Sequence, residues 1–98
     1  MKKAEKPVIE IILSKSQIEL LLSIDVLDLD YEEKLKLPIR KGDKNIINLE
    51  PYELEDLCGT VAFMGNHEKD QKMVRKYDRL FEYLNDYLED YYRKHEDE

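Results

Sequence analysis

The chain has 98 residues, of which 42% are hydrophobic and 40% charged, so we expect one small domain with a thin core and a charged surface. The net charge of −7 argues against binding to DNA or RNA, because affinity for a polyanion comes mainly from lysine and arginine. The single cysteine, Cys58, excludes an internal disulfide, and no apolar run has the length of a signal peptide or a membrane span. These features predict a cytoplasmic protein with one domain over residues 1–98 and flexible ends at 1–7 and 94–98.

The first elements are a short extended segment and a helix. The β-branched run Val8–Leu13 is typical of a strand or an extended arm. A first helix is predicted from about Gln17, and two pairs satisfy the capping-box spacing at its start: Ser14 with Gln17, and Ser16 with Glu19. Its apolar residues fall on two faces, which predicts packing between neighbours, and its end lies anywhere between Ser23 and Glu33.

Residues 34–49 favour a small β-hairpin. Leu35, Leu37 and Ile39 alternate with polar residues, which is the period of a strand, and the five residues 40–44 are typical of a turn. Pro38 confines the first arm to the edge of a sheet, because proline cannot donate to a strand ladder. The basic turn is a place where an anion could dock, although such a turn is more often only a turn.

A second helix is predicted over residues 51–65. Pro51 suits its first turn, and Gly65 followed by Asn66 favours a left-handed C-cap. Gly59 with Ala62 leaves a smooth patch at which another helix backbone could approach closely.

The long segment Asp70–Tyr92 carries the strongest pattern in the chain. Apolar and aromatic residues recur at steps of three and four, which places them on one helical face. This stripe, predicted to be an interaction surface of a homodimer, comprises Tyr77, Leu80, Phe81, Leu84, Tyr87, Leu88 and Tyr91. The helix is longer than the second helix, so its last turns need another cover, and tyrosine suits an interface because it combines apolar area with a polar tip.

An acidic face lies on the same helix, at Glu82, Asp86, Glu89 and Asp90. Segregated acidic residues can steer a basic partner, and rows of them can occupy a basic cleft as a nucleic-acid mimic or inhibitor does. A solvated surface that only maintains solubility explains the same charges.

Candidates for chemistry are few. Cys58 and His67 are nine residues apart, which places them on opposite sides if one helix holds both, so we expect Cys58 to be a buried core residue. All-α nucleotide pyrophosphatases bind Mg²⁺ through acid pairs spaced i, i+3, and this chain has three such pairs: Glu50/Glu53, Glu53/Asp56 and Asp86/Glu89. In a chain with 23 acidic residues such pairs arise readily by chance, and we expect no metal, cofactor or catalytic residue.

One segment resembles a group of known proteins. Leu54–Ala62, then Asn66-His67 and Lys69-Asp70-x-Lys72 leading into an amphipathic helix, is similar to a segment of small uncharacterised prokaryotic helical proteins. The resemblance covers about residues 51–92. It implies a two-helix hairpin and no activity.

Taken together, these features predict a mainly α fold of three amphipathic helices. The last two form an antiparallel hairpin, and a small β-hairpin or extended segment lies between helices one and two. The leading functional hypothesis is a non-enzymatic acidic protein-interaction module that self-associates through its tyrosine-rich C-terminal helix. The alternatives are an inhibitor or nucleic-acid mimic that binds a basic cleft, and a metal-dependent pyrophosphatase-like enzyme.

Overall fold

The computed structural model describes residues 8–24 and 29–95. Within these ranges the elements are, in chain order, β1 (Ile9–Leu13), α1 (Lys15–Leu22), α2 (Leu29–Lys36), β2 (Ile39–Lys41), β3 (Lys44–Leu49), α3 (Pro51–His67) and α4 (Gln71–His95). The mainly helical class is confirmed, but the predicted count of three helices is wrong, because the described residues contain four. Apart from Lys94 and His95, the ends that were predicted to be flexible lie outside the described residues.

The three strands form one antiparallel sheet. β3 lies in the middle and pairs with β1 on one side and with β2 on the other. The β-branched run at the start of the chain is therefore a strand within the sheet and not a free arm. Ile9, Ile11 and Leu13 point into the core from β1, and their cross-strand partners on β3 include the buried Ile47 and Leu49. This face of the sheet packs against the helices.

The predicted β-hairpin exists, but it is shorter than the sequence pattern indicates. Lys41 pairs with Lys44, so the turn has two residues and not five, and Gly42 adopts a φ of +62° that other residues rarely tolerate. Residues 34–36 belong to α2 and not to the first arm. Leu35 is buried together with Tyr31, which lies one helical turn earlier, whereas Leu37 is 85% exposed. The alternation of apolar residues that suggested a strand therefore includes one residue, Leu35, that belongs to the buried face of a helix.

The start of α1 follows one of the two capping alternatives. The Gln17 N–H donates to Ser14 Oγ at 3.1 Å, and the Ser14 N–H donates to Gln17 Oε1 at 2.8 Å. This reciprocal capping box starts the helix at Lys15. Ile18 and Leu21 are its buried residues, and the helix ends at Leu22.

The two longest helices, α3 and α4, are joined by residues 68–70 and pack against each other as the predicted antiparallel hairpin. Leu54, Leu57 and Val61 are fully buried on α3, and Leu84 is fully buried on α4. The amphipathic spacing of α4 therefore grouped the residues of one helical face, and that face packs against the core of the chain.

The two glycines of α3 differ from the sequence expectations. Gly65 does not end the helix, which continues to His67, so the predicted left-handed C-cap is wrong. A Cβ atom added at Gly65 would lie 3.2 Å from Asp78 Oδ1 and 3.4 Å from Tyr77 Cβ on α4, whereas one added at Gly59 would meet nothing within 4 Å. The close helix crossing is therefore at Gly65 and not, as predicted, at Gly59.

Candidate functional site

The apolar stripe of α4 is mainly a core surface. Tyr77, Leu80, Leu84 and Leu88 are buried within the chain, and the stripe's other aromatic residues, Phe81, Tyr87 and Tyr91, are half-buried against the same core. A partner that approaches α4 from solvent would therefore meet other residues. Self-association stays a prediction, but four of the seven residues predicted to mediate it are already covered by the chain itself.

Two tyrosines of α4 have a role that the sequence did not suggest. Tyr83 donates its hydroxyl hydrogen to the carbonyl oxygen of Ile12, and the Ile12 N–H donates to Tyr87 Oη at 3.2 Å. Ile12 lies on β1, whose outer edge has no neighbouring strand among residues 8–24 and 29–95. The two hydroxyls thus satisfy backbone groups at an open edge, where another strand could otherwise pair.

The environment of Tyr83 also changes its ionisation. Burial, together with the nearby Tyr87 hydroxyl at 3.4 Å, raises the pKa of Tyr83 to about 12. The phenol is therefore neutral at physiological pH and retains the hydrogen that it donates to Ile12. The periodicity of α4 indicated which of its residues face inward, but it could not indicate that hydroxyl groups would meet a strand edge.

The predicted acidic face of α4 has two parts. Glu82, Asp86 and Glu89 are exposed, as a surface that meets a partner requires. Asp90 is half-buried and forms ion pairs with Arg93 at 3.6 Å and with Lys94 at 3.1 Å. The first three carboxylates are therefore the accessible part of this face.

The acid pairs that suggested a metal-dependent enzyme have structural partners at α3. Glu53 Oε1 accepts a hydrogen bond from the Glu50 N–H at 2.9 Å. The same oxygen forms an ion pair with Lys34 Nζ at 3.4 Å. Asp56 Oδ2 accepts the Tyr31 hydroxyl at 3.0 Å. Among residues 8–24 and 29–95, no group of three or more His, Cys, Asp or Glu side chains is arranged to hold a metal ion.

Cys58 and His67 do not meet. Both lie on α3, nine residues apart, and so point to different sides of the helix. Cys58 is buried, and burial, with a smaller contribution from the charge of Glu55, raises the pKa of its thiol to about 11. His67 is exposed, and its Nδ1 lies 2.9 Å from the Phe63 carbonyl oxygen. The thiol is thus protonated at neutral pH and does not contact His67, which is unsuitable for a nucleophile.

An acid-lined cleft at the start of α3 is the most distinctive concave feature near these carboxylates. It has a volume of about 540 Å³, lies between the first turns of α2 and α3, and is lined by Asp30, Tyr31, Tyr52, Glu53, Glu55 and Asp56. Four of these six residues are acidic, and Tyr52 is 65% exposed. Carboxylates and an exposed aromatic ring are the groups that bind an ammonium or guanidinium ion.

The local sequence explains why the acidic residues gather at this cleft. Acidic side chains are favoured in the first turn of a helix, where the positive end of the helix dipole stabilises their charge. Glu53 and Asp56 are held in place by their contacts with Lys34 and Tyr31. The sequence showed the acidic run 50–56, but it could not show that α2 would supply Asp30 and Tyr31 to the same cleft.

Comparisons of the chain with protein-family models, with curated proteins and with solved structures found no match. Within the part of the chain that the structure describes, no helix is long and apolar enough to cross a membrane.

Proposed function

We propose that this chain is a non-enzymatic protein-interaction module that binds a lysine or arginine side chain of a basic partner in the acid-lined cleft. The observation that carries the proposal is the convergence of Asp30, Glu53, Glu55 and Asp56 on one concave surface beside the exposed ring of Tyr52. The net charge of −7 adds a long-range attraction for a basic protein, which increases the rate of encounter.

The cleft is suited to a cation because part of its lining is already organised. Glu53 and Asp56 make hydrogen bonds within the chain, so less side-chain freedom is lost when a partner binds. Glu55 adds an exposed carboxylate to the same lining. A cationic group that enters the cleft gains charge-assisted hydrogen bonds without a large rearrangement of the protein.

The other two hypotheses have weaker support. On the exposed side of α4, Glu82 lies one helical turn after Arg79, so a long basic groove that covered this helix would meet both signs of charge. A mimic of nucleic acid would present one sign throughout. The pyrophosphatase hypothesis needs a cluster of carboxylates that can hold Mg²⁺, and within residues 8–24 and 29–95 no group of three or more His, Cys, Asp or Glu side chains is arranged to do so.

The proposal is tested by titrating a fluorescent peptide of alternating lysine and glycine while measuring anisotropy. Glu55→Gln with Asp56→Asn removes two charges from the cleft, and we expect the peptide to bind about tenfold more weakly, which corresponds to about 1.4 kcal/mol. Glu10→Gln with Asp43→Asn removes two charges from exposed positions on β1 and on the turn of the hairpin, and is the matched control. We expect less than about a threefold change for the control, because screening weakens the effect of distant exposed charges.

Equal weakening in the two double variants would contradict the proposal, because it would show that only net charge matters. Calorimetric titration with Mg²⁺ and Mn²⁺ tests the enzyme hypothesis separately. A stoichiometric heat that Glu50→Gln and Asp86→Asn reduce would favour that hypothesis over the interaction module.

A further inference from the structure

The solvent-facing side of α4 carries a seam of six charged residues that is divided into two halves of opposite sign. Lys72, Arg75 and Arg79 occupy the first half, and Glu82, Asp86 and Glu89 occupy the second half. All six side chains are exposed, and they lie on the side of the helix opposite the buried Leu80 and Leu84. We call these six residues the charged seam.

The spacing within the charged seam is that of a contact surface between helices. The residues follow one another at alternating steps of three and four, which keeps them on one line along a helix that packs against another helix. The distance from Lys72 to Glu89 is about 25 Å at 1.5 Å per residue. The charged seam is therefore long enough to contact a second helix over nearly five turns.

The charged seam has little internal compensation. Within residues 8–24 and 29–95, no ion pair engages any of the six side chains. Its neighbours at three or four positions are mostly of like charge, such as Arg75 beside Arg79 and Glu82 beside Asp86. Like charges at these spacings destabilise a helix, so an external surface of opposite charge would relieve the repulsion.

A second copy of the same seam is such a surface, provided that the two helices run antiparallel. With a twofold axis between Arg79 and Glu82, three different pairs face each other across the axis: Arg79 with Glu82, Arg75 with Asp86, and Lys72 with Glu89. Each pair joins a base to an acid, and each occurs twice by symmetry. A parallel arrangement would place every residue of the seam opposite a like charge.

The register is equally specific. A shift of one heptad in one direction places Arg75 opposite Arg79 and leaves Lys72 opposite Glu82, and a shift in the other direction places Glu82 opposite Asp86 and leaves Arg79 opposite Glu89. Each shift therefore replaces three attractive pairs by one attractive and one repulsive pair, which is how charged positions favour one pairing among several. We propose that this chain forms an antiparallel homodimer in which the charged seams of two α4 helices face each other. This surface is distinct from the acid-lined cleft, so the two proposals succeed or fail separately.

The dimer is held by exposed charges, so its affinity depends strongly on salt. The screening length falls from about 30 Å at 0.01 M salt to about 3 Å at 1 M. Sedimentation equilibrium at about 0.01 M salt is expected to give twice the chain mass at high micromolar concentration, and about 0.5 M salt is expected to return the protein to a monomer. A monomer at both salt concentrations would overturn the proposal.

Charge reversal tests the register. In the dimer, position 86 of each chain faces Arg75 of the other, so Asp86→Arg creates two pairs of facing positive charges. We expect the dissociation constant of the dimer to rise at least about tenfold. This substitution changes the net charge by +2, from −7 to −5, so reduced overall repulsion alone would strengthen association. The double variant Arg75→Glu with Asp86→Arg restores opposite charges at both positions and the original net charge. We expect its dissociation constant to be within about threefold of the wild-type value.

Failure of the double variant to restore association would overturn the proposal. The positions are exposed, and helical circular dichroism measures whether each variant remains folded. Lys72→Glu with Glu89→Lys is a second charge exchange that also restores opposite charges at a facing pair. It tests the same register if Arg75→Glu with Asp86→Arg unfolds the helix.

Cross-linking of the unmodified protein identifies the partner residues directly. A carbodiimide joins a lysine amine to a carboxylate without a spacer, and an equal mixture of ¹⁴N and ¹⁵N chains distinguishes links between molecules from links within one. We expect an intermolecular link between Lys72 and Glu89, which lie too far apart on one helix to react with each other. Lys72 linked between molecules to other acidic residues, with Glu89 absent, would contradict the antiparallel register.

Discussion

The inner and outer faces of the α3–α4 hairpin use the same residue types for different purposes. Gly65 lies on the inner face, where a side chain would meet α4, whereas Gly59 lies on the outer face, where a side chain would meet nothing within 4 Å. The tyrosines differ in the same way, because Tyr83 binds the backbone of β1 while Tyr92 is exposed. Residue type alone therefore does not identify a contact, and four sets of substitutions distinguish the two faces.

The largest effect is expected for the core of the hairpin. Leu84 is fully buried on α4, so Leu84→Ala removes apolar contacts and leaves a cavity, and we expect the free energy of unfolding to fall by about 2–5 kcal/mol. Leu37, which is 85% exposed, is the matched control, and Leu37→Ala should change the free energy of unfolding by less than about 0.5 kcal/mol. Urea denaturation measures both, and similar losses would mean that the two leucines have similar surroundings.

The thiol of Cys58 on the inner face predicts a loss of stability in alkali. Its pKa is about 11 in the folded chain and 9.0 in the unfolded reference, so between these values the unfolded chain binds fewer protons. Stability is therefore fully present below pH 9 and falls as the pH rises to 11, by about 2–3 kcal/mol. Cys58→Ala should remove this part of the pH dependence, and parallel curves for the two proteins would show that the thiol does not titrate as inferred.

The two glycines of α3 provide a direct contrast. Gly65→Leu forces a large side chain toward Tyr77 and Asp78, and we expect a loss of about 1–3 kcal/mol. Gly59→Leu meets no obstacle and gains helix propensity, so we expect an increase of about 0.5–1 kcal/mol. Urea denaturation of both variants gives the sign of the change in the free energy of unfolding. A loss of stability in both variants would mean that a second helix passes close to both glycines.

The smallest effect concerns the edge of the sheet. Tyr83→Phe removes the hydroxyl that donates to the Ile12 carbonyl, and we expect a loss of about 1 kcal/mol. Tyr92→Phe deletes an exposed hydroxyl and should change stability by a few tenths of a kcal/mol. Tyr87→Phe removes the hydroxyl that accepts the Ile12 N–H, so amide exchange at Ile12 is expected to become faster in that variant, and unchanged exchange would show that the Tyr87 hydroxyl does not protect the strand edge.

Several features of the molecule depend on short-range patterns, and these could be predicted from the sequence. The capping residues Ser14 and Gln17 lie within one turn, so their spacing predicted a helix start in this region, although it did not choose between Ser14 and Ser16 as the cap. The steps of three and four in α4 identified its buried face, because helical geometry relates residues that are close in the chain. The acidic character of the start of α3 was equally visible in residues 50–56.

Tertiary structure decided the rest, because it brings together residues that are distant in the chain. The pairing of β1 with β3 joins residues 32 to 40 positions apart, and the tyrosines of α4 contact a strand more than 70 positions earlier. Whether a glycine lies at a crossing depends on where the second helix passes, which no local pattern records. The charge, the helical periods and the set of residues that share one face of α4 are properties of the sequence alone. Only the packing of α2 against α3 created the cleft, since burial and long-range contacts select among conformations that local preferences leave open.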